Sequence, residues 1–130
     1  MTKELRKELI KIAHSYDVKC RFLKRIKIPY VAVEKRMIFL AKDNTMTKRS
    51  VLSAFFHEVG HMVDFDNGLF KPYYKLYPTR KALKRLALRA EIHTDETGSK
   101  LMRKHFPNTA FEYTYKYKKW QKLLKEHWGI

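Results

Sequence analysis

The stretch FFHEVGHMVDF, residues 55 to 65, decides how the rest of the chain is read. It contains His57-Glu58-Val59-Gly60-His61, an HExxH pattern. Residues four apart on a helix share a face, so His57 and His61 can turn both imidazoles toward one ion. Glu58 follows the first histidine, where its carboxylate can act as general base on a metal-bound water. The flanks Phe55, Phe56, Val59, Met62, Val63 and Phe65 make the segment almost wholly apolar outside the motif. Polar groups on such a buried helix need partners, and a metal supplies one. The competing reading is two histidines that fall four apart by coincidence, which six histidines in a basic chain make easier.

A catalytic metal needs a third ligand and keeps one position open. The metzincin spacing requires Gly at position 64 and His at position 67, where this chain has Asp64 and Asn67. A better candidate lies in RAEIHTDETGSKLM, residues 89 to 102. Glu91 and Asp95 form an ExxxD pair on one helical face, and Ala87, Ala90, Thr94 and Gly98 flank them. Such small residues allow a close approach to the HExxH helix. Glu91 then becomes the third ligand. Asp95 accepts the second ring N–H of a ligand histidine and fixes its tautomer. His93 is the rival ligand or an oxyanion donor, but it points to another face if Glu91 points inward. Tyr73, Tyr74 and Tyr77 are further donor candidates. The bland reading of Glu91 and Asp95 is a solvated face among Lys and Arg neighbours.

The pair HEVGH and EIHTD resembles gluzincin-type zinc peptidases, in particular the ImmA/IrrE-like and HtpX-like families. The resemblance covers roughly residues 30 to 103, including the strand RMIFL and the capped helix that carries HExxH. It implies one zinc held by His57, His61 and Glu91, with Glu58 as catalytic base and Asp95 behind a ligand. The implied activity is endopeptidase hydrolysis of protein or peptide substrates.

Around the motif the chain reads as α+β and zincin-like. Leu5, Leu9, Ile12 and Tyr16 recur at helical spacing over residues 2 to 16. Residues 18 to 24 and 29 to 41 read as strands, the second region a hairpin turning near Glu34-Lys35, in a small antiparallel sheet. Thr47 or Asn44 caps the HExxH helix, which ends near Asn67-Gly68. LFKPYYKLYP, residues 69 to 78, reads as a loop because it holds two prolines. A long helix is predicted from about Thr79 to Lys104, and a last one over about 110 to 127. In that last segment Tyr113, Tyr117, Trp120, Leu124 and Trp128 form an aromatic stripe, read as core packing ahead of base stacking.

The 130 residues suit a single domain. Lys and Arg number 29 against 13 Asp and Glu, a net charge of +16. Such a surface attracts polyanions, so weak non-specific nucleic-acid binding is expected. A lone Cys20 excludes an intrachain disulfide and fits a reducing compartment. The start MTKELRKELIKIAHSY is broken by charge and does not read as a secretory signal. No segment has the length of a membrane span, and a cytoplasmic monomer is expected. Two alternatives stand beside the peptidase: a nucleic-acid-associated, SprT-like peptidase, and a non-catalytic basic zinc protein that binds nucleic acid.

Overall fold

Thr47 opens the central helix: its hydroxyl accepts the Ser50 N–H at 3.1 Å, satisfying one of the unpaired amides of the first turn. That helix, Lys48–Asp66, carries HExxH and ends at Asn67, close to its predicted limits. The computed structural model describes residues 1–26, 28–42, 46–75, 81–114, 121–122 and 125–126, so Asn44 lies outside the described residues. In chain order the elements are α1 Lys3–Ser15, β1 Lys19–Leu23, β2 Tyr30–Ala32, β3 Met37–Ala41, α2 Lys48–Asp66, α3 Lys71–Lys75 and α4 Lys81–His105. The α+β class expected from the sequence is the one observed.

β2 and β3 form the expected hairpin, with Lys35 and Arg36 amides closing the turn onto Ala32 and Val33. β1 differs from expectation. It pairs with β3 in parallel, giving the order β1-β3-β2 and a mixed sheet. The reason is that β2 runs opposite to β1 without pairing with it, and the hairpin turn then brings β3 back between them in the direction of β1. β2 then occupies the outer edge. Arg36, at φ 52°, fastens this corner. Its guanidinium donates to both Asp66 oxygens at 2.7 and 2.9 Å and to the Tyr16 and Asp17 carbonyls.

The core joins the apolar face of α1 (Leu9, Ile12, Ala13), the inner sheet residues Cys20, Ile38 and Leu40, and Leu52, Phe55, Phe56, Val59 and Met62 of α2. Tyr16 donates its hydroxyl to His105 Nε2 at 2.9 Å, so the ends of α1 and α4 meet. Burial and the neighbouring Lys104 charge push His105 below its usual value.

Two further expectations need correction. Residues 71–75 of the supposed loop are helical, because Pro72 falls in the first turn, where no amide is needed. Residues 110–114 are not helical, although Gln121, Lys122, Lys125 and Glu126 are. Of the aromatic stripe, Tyr113 packs on the core, while Tyr117, Trp120, Leu124 and Trp128 lie outside the described residues.

Candidate metal centre

The site is built where α2 and α4 touch. Ser53 meets Met102, Gly60 meets Thr94 and His61 meets Glu91, so the two helices run antiparallel. Their separation is set by glycines. A Cβ at Gly60 would stand 2.6 Å from Thr94 Oγ1, and one at Gly98 would stand 2.6 Å from the Phe56 carbonyl oxygen. Neither position has room for a methyl group. Thr94 also donates its hydroxyl to the His57 carbonyl at 2.8 Å, joining the helices directly behind the motif.

This contact brings His57, His61 and Glu91 together, with one ligand atom from each inside 4.8 Å. The geometry of the rings is consistent. His57 Nε2 lies 2.9 Å from Glu91 Oε2, and His61 Nε2 lies 3.2 Å from Glu91 Oε1. Both histidines therefore present Nε2 to the carboxylate. Their other nitrogens are held from behind: His57 Nδ1–H donates to Asp95 Oδ1 at 2.8 Å, and His61 Nδ1 meets the Tyr74 hydroxyl at 2.6 Å. Two imidazoles with oriented Nε2 atoms and one carboxylate form a set that can hold a metal ion.

The electrostatics follow from burial and pairing. Burial works against charge on His57, but hydrogen bonds to Asp95 and Glu91 outweigh it and push the imidazole up to about 10. Burial would raise Glu91, yet the His61 charge and the His57 hydrogen bond hold it well below the usual carboxylate range. Glu58 is 8% exposed and accepts no hydrogen bond among the described residues. Burial pushes it up to about 7, against the pull of His61 and His57.

These groups line a cleft of about 770 Å³. Its walls include β2, the sheet edge, together with Tyr73 and Tyr74 of α3. Among the described residues, the charged side chains lining it are Glu34, Glu58, Glu91, Asp95 and Glu112 against Lys35 and the raised His57. In a chain where bases outnumber acids two to one, this acidic cleft is a place for a cation.

The expected site residues fall out clearly. His57, His61, Glu91 and Asp95 converge, and Glu58 lies in the same cleft. His93 does not join them. Its Nδ1 sits 2.8 Å from Asp64 Oδ2, its ring packs against Phe70, and its side chain is 45% exposed. It is placed neither as a ligand nor as a donor to the cleft, for the helical offset from Glu91 turns it away. Of the tyrosines, Tyr73 donates its hydroxyl to Glu91 Oε1 and Tyr74 backs His61, while Tyr77 lies outside the described residues. The Tyr74 role is one the sequence reading missed. The aromatic residues of LFKPYYKLYP were the only local signal, and which of them would meet His61 depends on the turn of helix at 71–75.

Among the described residues no helix is long and apolar enough to cross a membrane. Neither a protein-family model, nor a curated protein, nor a solved structure matches this chain.

Proposed function

We propose that this protein is a zinc-dependent endopeptidase of gluzincin type, with His57, His61 and Glu91 as ligands and Glu58 as general base. The observation that carries the reading is the meeting of His57, His61 and Glu91 in an open cleft beside the buried Glu58. Two nitrogens and one carboxylate oxygen suit zinc among the common metals. Bound there, zinc would supply Lewis acidity and bring the acidity of a coordinated water to neutral pH.

The chain's own residues supply the rest. Asp95 and Tyr74 keep the two imidazoles turned to the ion. Glu58, with its proton affinity raised to about 7, is matched to taking a proton from water and passing it to a leaving amine at neutral pH. Tyr73 stands in the cleft wall and donates its hydroxyl to Glu91 Oε1; released from that carboxylate, it would be the donor to a developing oxyanion. An extended substrate suits β2, because an edge strand offers backbone groups to an added strand.

A second reading has its own observation. The outward face of α4 exposes Arg85, Arg89, Lys100, Arg103 and Lys104, a cationic stripe on the side away from α2. A stripe of this kind would bring the enzyme to nucleic acid and to proteins bound there.

The test is hydrolysis of an unstructured protein such as casein by the zinc-loaded chain, beside Glu58→Gln. Cleavage by the parent and none by the variant supports the peptidase. Stoichiometric zinc with no cleavage of casein or of a mixed peptide library favours the non-catalytic zinc protein.

A further inference from the structure

After α4 the chain turns through residues 107–109, and residues 110–114 then bridge the helix pair. On the α2 side, Arg49 Nε donates to the Ala110 carbonyl at 2.8 Å. The Glu112 amide donates to Ser53 Oγ at 2.9 Å, and the Ser50 hydroxyl donates to the Glu112 carboxylate. On the α4 side, the Tyr113 hydroxyl donates to Ser99 Oγ at 2.6 Å. The Thr114 amide donates to Asp95 Oδ2 at 3.0 Å.

The last bond matters most. Asp95 is 1% exposed, and its other oxygen receives His57 Nδ1–H. A carboxylate is planar, so a donor fixed on Oδ2 also sets where Oδ1 points. Oδ1 in turn sets the His57 ring and the direction of Nε2. We infer that residues 110–114 are a positioning strap for the metal centre, with the Thr114 amide holding Asp95 and Asp95 holding His57. The inference rests on the metal site of the proposed function and not on the peptidase chemistry.

The test is zinc affinity of the full chain, measured by competition with a chromophoric chelator. Thr114→Ala keeps the amide and should bind zinc as the parent does. Thr114→Pro removes the amide hydrogen, while also fixing φ there and restricting Tyr113, and should lower zinc affinity about tenfold, the smaller end of what loss of a supporting bond behind a ligand costs. In an Asp95→Ala background the same substitution should change zinc affinity no further, because the bond it removes is already gone. A strap that only holds the fold together would lower thermal stability in both backgrounds and leave the zinc affinity of the folded protein unchanged; that result overturns the inference. If Thr114→Pro does not fold, Ser53→Ala, which releases the Glu112 amide, replaces it with the same two outcomes. A parent chain that takes up no zinc overturns the metal site and the strap together. A zinc-binding parent with unaltered affinity in Thr114→Pro overturns the strap alone.

Discussion

Gly98 stands so close to Phe56 that a Cβ on it would lie 2.6 Å from the Phe56 carbonyl oxygen. The atom it would meet is backbone, which cannot swing aside. Gly98→Ala should therefore destabilise the protein, although alanine is the better helix former by about 1 kcal/mol. Overpacking costs about 1–3 kcal/mol, and a contact against fixed backbone lies at the upper end, so the net loss should approach roughly 2 kcal/mol. Denaturant unfolding measures it, and a variant as stable as the parent would show that the helices can part. Gly60→Ala should act in the same direction, through Thr94.

Metal content separates the residues of the site. His57→Ala, His61→Ala and Glu91→Ala should each lose zinc. Asp95→Ala should cost about 10–100-fold in affinity, since it removes the support of a ligand rather than a ligand. His93→Ala should bind zinc as the parent does, because His93 faces Asp64. Retained zinc in Glu91→Ala would end the gluzincin assignment.

Glu58→Gln should keep zinc and lose hydrolysis, for it removes the base and no ligand. The pH profile of the parent gives a second check. A base works only when deprotonated, and burial raises Glu58 to about 7. Activity should thus fall as pH drops through about 7, with the charge of the zinc moving that limb lower. A flat profile from pH 5 to 8 would remove Glu58 from the role.

Cys20 lies buried on the inner face of β1, and burial pushes its thiol up to about 12. At pH 8 the folded protein should resist iodoacetamide, and denaturant should open the thiol to it. The sign for stability follows. The unfolded thiol ionises near its ordinary value while the folded one stays neutral, so its contribution is whole below that value and declines as pH rises toward 12. Rapid labelling of native protein would contradict the burial.

The basic face of α4 should hold DNA weakly and without sequence preference. Retention on a DNA column at low salt should fall steeply as salt rises, because bound counterions are released on association. Passage in the void volume at low salt would discard the nucleic-acid reading.

How much of this was legible in the sequence depends on range. His57 with His61 and Glu91 with Asp95 were readable because each pair shares a helical face, a matter of local geometry. The small residues Thr94 and Gly98 announced the close crossing, and the partner of Asp95 followed from what a ligand histidine needs. The parallel pairing of β1 with β3 was not legible, since nothing local says that β3 rather than β2 will lie against β1. The segment holding Glu112 and Thr114 was misread as helix because Tyr113 falls on a helical spacing with later aromatics. Its true geometry comes from bonds to Ser53 and Asp95, which lie 59 and 19 positions away. Nothing local in FEYT declares them.

Those separations have a consequence for how the centre comes into being. The chain is made from its N-terminus, and Glu91 is added 34 residues after His57. At about 5–20 residues per second, the histidine pair waits about 2–7 s for its carboxylate. The Thr114 amide arrives 19 residues later than Asp95. A nascent chain therefore carries HExxH before the carboxylate that completes the candidate metal site. By the order of its own translation, the set of side chains that could hold an ion stays incomplete until Glu91 is added, and unbraced until Thr114 follows.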